Sequence, residues 1–140
     1  MDLSTLETTT VAEQGAKMEV QHPVSGAVLT DTSGAALTIT LAGQDSERFR
    51  KADRAITNKR LATQASGRRV ALTSEGLEAD SIARLVACTI SWSGIEFGGS
   101  PKECTPDNVR EAYKRLPWLR EQVERFVEDR ANFLRTPSAS

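Results

Sequence analysis

Both tryptophans and three of the four phenylalanines of this 140-residue chain fall in its C-terminal third. The segment runs from Trp92-Ser93-Gly94 through Pro117-Trp118-Leu119-Arg120-Glu121-Gln122-Val123 to Asp129-Arg130-Ala131-Asn132-Phe133-Leu134. Aromatic side chains bury the most apolar surface per residue, so this third must supply much of the core. It reads as a helical packing unit and carries no reactive group.

Its helices are legible from their punctuation. Thr105 caps a short helix over 105–116 with Pro106 at the first position, and the apolar stripe is Val109, Ala112, Tyr113 and Leu116. Pro117 breaks that helix and seeds a last one over 117–134, with a stripe of Leu119, Val123, Phe126, Val127, Phe133 and Leu134. Residues 136–140 read as a polar tail. Upstream, Leu72-Thr73-Ser74-Glu75 opens a central helix over 73–92, with Thr73 or Ser74 as cap and Leu72 and Leu77 as a hydrophobic staple. Its broad apolar stripe is Ala79, Ile82, Ala83, Leu85, Val86, Thr89 and Ile90, and the helix runs into Trp92. Residues 94–104, with Gly98-Gly99, read as a loop or small hairpin.

The N-terminal half has a different texture. Residues 1–16 are rich in Thr, Ser and Glu without periodicity and read as a flexible tail. Residues 17–43 read as a two-strand β ribbon, Met18 to His22 and Ala36 to Leu41, with Leu37, Ile39 and Leu41 on one face. A two-strand ribbon is marginal alone, so it must pack on the helices or pair with another chain. Asp45 or Ser46 caps a basic helix over 45–66, on which Phe49, Ala52 and Ile56 share a narrow stripe with Lys59 and Arg60 further along. Its first half should dock on the core, and Gly67 ends it. The expected fold is therefore α+β. It is one domain over 17–135, the ribbon packed on a mostly α-helical domain of about four helices.

Composition limits what such a domain does. Charged residues make up 26% and hydrophobic ones 39%, which suits a globular protein. No apolar run approaches the ~20 residues that cross a bilayer, and the N-terminus has no signal-peptide pattern, so the expected compartment is cytoplasmic. Cys88 falls in an apolar helical pattern and Cys104 in a turn-rich segment; no disulfide between them is expected in a reducing compartment, and no metal-ligand spacing is present. His22 precedes Pro23 with no Ser, Cys or carboxylate pattern to engage it, and Gly98-Gly99 is not followed by the Lys-Ser/Thr of a phosphate loop. No catalytic, cofactor or metal site is expected, and no enzyme.

Two features invite a binding role. The first is charge. Residues 45–72 hold eight bases and three acids, net +5, within a chain whose net charge is -1. The island comprises Arg48, Arg50, Lys51, Arg54, Lys59, Arg60, Arg68 and Arg69. A solvated helix surface is the first reading, an acidic protein partner the second and nucleic acid the third, because no aromatics interleave for base stacking. The second is Arg130, which a helical wheel places amid the apolar stripe of the last helix. A guanidinium there needs partners. It is either a structural arginine bonded to carbonyls or a carboxylate, or an anchor of a protein interface. Trp92 and Trp118 present the same choice between core and interface.

The order of these motifs resembles the tail assembly chaperones of long-tailed bacteriophages. The matching pieces are Gly43-Gln44-Asp45-Ser46 leading to Asn58-Lys59-Arg60-Leu61, then Ser91-Trp92-Ser93-Gly94, Thr105-Pro106-Asp107-Asn108, Pro117-Trp118-Leu119 and Arg130-Ala131-Asn132-Phe133-Leu134. The resemblance implies a non-enzymatic factor in the host cytoplasm. It would bind the tape-measure protein, keep it soluble, help recruit tail-tube subunits and be absent from the mature virion. Many such chaperones also occur in a longer, frameshifted form. The expected partner-binding residues are Trp92, Trp118, Phe126, Arg130, Phe133, Arg54, Lys59 and Arg60, with self-association through the ribbon edge or the last helix. The alternatives are a minor tail or head-tail joining protein of the virion, and a small nucleic-acid-binding protein that uses the basic helix.

Overall fold

The computed structural model describes residues 1–68 and 72–134. Arg69 of the basic island and the expected polar tail over 136–140 lie outside the described residues. The fold is α+β. The ordered elements are α1 (Thr9–Gln14), β1 (Ala16–Glu19), β2 (Thr38–Leu41), α2 (Glu47–Ala65), α3 (Ser74–Cys88), β3 (Thr89–Ser93), β4 (Glu96–Phe97), β5 (Ser100–Pro101), α4 (Pro106–Arg115) and α5 (Pro117–Glu128), with 3-10 turns at Leu3–Leu6 and Arg130–Phe133.

The main sheet is antiparallel with order β1-β2-β3. It is the expected ribbon plus a third strand, drawn from the segment that the sequence assigns to the end of the central helix. That assignment is corrected here. Thr89, Ile90 and Trp92 are β-branched or aromatic and suit a pleated surface. At Thr89 the backbone turns extended, and its hydroxyl closes the helix by donating to the Leu85 carbonyl at 2.8 Å. The same hydroxyl lies 2.7 Å from the buried Tyr113 hydroxyl, which is left to act as donor. Trp92 thus stands on β3 opposite Ile39, and its indole N–H donates to the Lys102 carbonyl at 2.7 Å.

One face of the sheet presents Met18, Ile39 and Leu41 to a helical layer formed by α3, α4 and α5. Those helices bury Ile82, Leu85 and Cys88 from α3, Val109, Ala112 and Tyr113 from α4, and Leu119, Val123 and Val127 from α5. The predicted stripes of α4 and α5 are the faces that pack. The sheet's first strand continues as single bridges, with Gln21 opposite Val28. On its other side the Gln122 side chain serves Gln21 as a strand would: its carbonyl accepts from the Gln21 N–H at 3.0 Å and its amide donates to the Gln21 carbonyl at 2.8 Å. The small β4–β5 hairpin turns at Gly98 and Gly99, both at positive φ, as a type I′ turn requires.

The first sixteen residues, expected as a tail without structure, form a 3-10 turn, α1 and the start of β1. Ala12 is buried against Gly43, and Phe133 closes on the same glycine from the C-terminal side. A Cβ on Gly43 would stand 2.9 Å from the Phe133 ring and 3.0 Å from the Ala12 Cβ, so only glycine admits both neighbours. The Gly43 N–H donates to the Ala12 carbonyl and the Gln44 side chain to the Glu128 carbonyl. Both ends of the described chain are thereby clasped onto the loop between β2 and α2. Composition could not show this, because the single apolar residue that anchors α1 is an alanine.

The last helix is also shorter than predicted. It ends at Glu128, and Asp129 begins a separate 3-10 turn by accepting from the Ala131 N–H at 3.0 Å. The helical wheel therefore does not apply at Arg130. Its side chain is 61% exposed and forms a two-pronged ion pair with Asp45, Nε to Oδ2 at 2.8 Å and Nη2 to Oδ1 at 3.0 Å. Of the two readings of Arg130, the carboxylate-bonded one matches this geometry.

Candidate functional site

The helix α2 differs from every other long element. Ser46 caps it, accepting from the Phe49 N–H while donating to the Gly43 carbonyl, and Gly67 at positive φ follows its last turn. Phe49 reaches the core. Beyond that point none of its nineteen residues is buried, and its one extensive neighbour is α3. The expectation that Ala52 and Ile56 dock on the core is corrected. They line an open groove against α3 instead.

That groove has a volume of about 710 Å³. Its floor is small and apolar: Ala52, Ala55 and Ile56 from α2, and Gly76, Ala79 and Ala83 from α3. Leu72 and Leu77 stand at one end, 67% and 51% exposed. Lys59, Arg60 and Asp80 supply its charged lining. Two ion pairs tie the helices together, Arg60 to Asp80 and Arg84 Nε to Asp53 Oδ1 at 2.8 Å. On a 100° wheel the groove residues of α3 lie opposite Leu85, which is buried in the body. The sequence reading merged these two faces into one broad stripe. The difference that could have parted them is size, since the body side carries Ile82 and Leu85 and the groove side Gly76, Ala79 and Ala83.

The predicted binding residues do not form one patch. Lys59 and Arg60 line the groove, and Arg54, on the same helix, pairs with Glu47. Trp92 and Trp118 are half-buried and pack on the core. Phe133 is fully buried, and half-buried Phe126 meets it edge-on with ring centroids 5.7 Å apart. Of these four aromatics Phe133 is enclosed in the body, while Trp92, Trp118 and Phe126 pack on the core and keep part of their surface in solvent. Arg130 belongs to the clasp.

The titratable groups follow from their surroundings. The Arg130 guanidinium, with help from the Thr8 hydroxyl, holds the Asp45 carboxyl below its usual range. Burial pushes the Cys88 thiol up to about 12, so it stays protonated and inert as a nucleophile. Burial also raises Cys104 and Tyr113. His22 is exposed in its turn, where its Nδ1 accepts from the Val24 and Ser25 N–H groups. Among the described residues no helix is long and apolar enough to cross a membrane. No protein-family model, curated protein or solved structure matches the chain.

Proposed function

We propose that the chain is a non-enzymatic tail assembly chaperone of a long-tailed bacteriophage. In this role it binds the helical tape-measure protein in the host cytoplasm, keeps it soluble and helps recruit tail-tube subunits. The observation that carries this reading is the open apolar groove between α2 and α3, on a part of the molecule that the rest of the described chain leaves uncovered. Such a groove suits the apolar face of an amphipathic helix, which is the recognition mode a long helical client offers. A floor of alanine and glycine lets a client helix approach closely, and the ion pairs at Arg60 and Arg84 fix the two walls to each other. The order of short motifs, from Gly43-Gln44-Asp45-Ser46 to Arg130-Ala131-Asn132-Phe133-Leu134, supports the family reading by resemblance.

The test is co-expression with the tape-measure protein of the same genome. The expected result is a soluble complex and no trace of the chain in purified virions. Insoluble client in the presence of the chain would overturn the reading, and recovery of the chain from virions would favour a minor tail or joining protein.

A further inference from the structure

We infer that the outer edge of β1 is a docking slot for a short extended peptide of the order basic, apolar, acidic, held by backbone pairing. The argument begins with the direction of the backbone groups. The Val20 N–H donates to the Leu37 carbonyl, so Val20 faces β2, and in an antiparallel ladder Met18 then faces it too. The backbone groups of Lys17, Glu19 and Gln21 therefore point away from β2. Gln122 takes both groups of Gln21. Among the described residues, nothing bonds the N–H or C=O of Lys17 and Glu19 on that side. The edge thus offers donors and acceptors at the spacing of a strand, and an extended backbone is what answers them.

That edge opens into a groove of about 470 Å³, whose far wall is α5 and the turn after it, with Arg125, Phe126, Asp129 and Asn132. Gln122 stops the slot at Gln21, and Gly15, at positive φ, ends the strand at the other end. The pleat then fixes the occupant's character. Met18 is buried toward the helices, whereas Lys17 and Glu19 are exposed on the other face. In an added strand the residue opposite Met18 points the same way as Met18, toward half-buried Phe126, and must be apolar. Its neighbours stand beside Lys17 and Glu19, where opposite charges are favoured. The wall adds one charge of each sign, Arg125 and Asp129, so the strand side decides the order. An antiparallel peptide, the more stable pairing per residue, therefore reads base, apolar, acid from its N-terminus. The chain's own Lys17-Met18-Glu19 has that order, and the sequence suggests the ribbon edge for self-association. A two-fold pairing of two β1 edges, however, would bring the α5 wall of both copies into one slot. A lone strand avoids that collision.

The test is an NMR titration of the full chain, isotope-labelled, with the acetylated and amidated peptide Thr-Lys-Val-Glu-Thr. At millimolar peptide the Lys17 and Glu19 amide signals should shift, while those of α2 stay in place. Methylating the peptide's Lys and Glu nitrogens should abolish the shifts, because those N–H groups face β1. Methylating its Val nitrogen should preserve them, because that N–H faces away. The reversed peptide Thr-Glu-Val-Lys-Thr should bind about fivefold more weakly, and Lys17→Glu/Glu19→Lys, which exchanges two exposed side chains, should invert the preference. Unmoved Lys17 and Glu19 amides, or shifts that survive methylation of the Lys and Glu nitrogens, overturn the slot. Equal binding of the two peptides overturns its charge order. Lys17 and Glu19 signals that move with the chain's own concentration, with no peptide present, give the edge to a second copy instead. The slot stands apart from the chaperone reading, and none of these outcomes bears on that reading.

Discussion

The body of this protein and its arm, helix α2, are built from the same helical material and to opposite ends. In α5, twelve residues place Leu119, Val123 and Val127 in the core, and the chain that follows folds back to add Phe133. In α2, nineteen residues bury none fully and set half-buried Phe49 against it. The body hides its aromatics, including both tryptophans in part, and satisfies its buried hydroxyls through pairs such as Thr89 and Tyr113. The arm shows solvent a groove of alanines, a glycine and leucines. Stability per residue should follow the same division, because most helix stability comes from packing an apolar face and little from propensity. The lesson is that helix length in this chain does not measure contribution to the fold: the longest helix is the one the fold needs least.

Hydrogen exchange gives the largest expected effect. Amides of Leu61–Ala65 in α2 should exchange about a thousandfold faster than those of Val123–Val127 in α5, since local opening ranges from near zero cost to the global stability. Equal protection in the two helices would abolish the distinction. Next in size is Phe133→Ala, which empties the seat between Gly43, Ala12 and Phe126 and should cost about 3–5 kcal/mol in urea unfolding. A loss under about 1 kcal/mol would mean that the C-terminal clasp is not part of the body.

Arg130→Ala should cost little stability near neutral pH, because the guanidinium is largely in solvent. Its signature is in the pH dependence. The Asp45 carboxyl is depressed in the folded state, so its contribution is complete above the ordinary carboxylate value of about 3.9 and is lost as pH falls through the lowered folded value. In the variant, stability should fall less steeply below about pH 4 than in wild type. Superimposable acid profiles would remove Asp45 from the clasp. The smallest effect on stability belongs to Leu77→Lys, within about 0.5 kcal/mol, for a side chain already half exposed. Body and arm are separable only if this variant keeps its stability and loses its binding.

Much of the body was legible. Ser46, Thr73 and Thr105 cap their helices through their hydroxyls, and Leu37, Ile39 and Leu41 face inward, because caps and period-two alternation are local signals. Where the reading failed, a periodic pattern outran the element that carried it. Thr89 and Ile90 continue the helical stripe of Leu85 and Val86, yet they also alternate as a strand, and pairing with β2 decides between the two. Arg130 falls amid an apolar stripe only if the helix passes through Asp129, whose side chain instead starts a new turn. The groove was hidden for a different reason. A wheel reports which residues are apolar, and α3 is apolar on two faces, one against the body and one against α2. The partner of each face is a tertiary fact. Lys59 and Arg60 were singled out correctly as lying on the stripe of Ile56, though that stripe leads to a groove and not to the core.

The glutamine that pairs with Gln21 bears on what happens at high concentration. A sheet edge is a template on which any extended chain, including another copy, adds a strand and starts a fibre. Gln122 closes that template at one position, Gln21, with a side-chain amide one hundred and one residues away in sequence. The amide fills both backbone positions and offers no backbone of its own for a further strand. An added strand would therefore have to displace Gln122 before it could pair at Gln21.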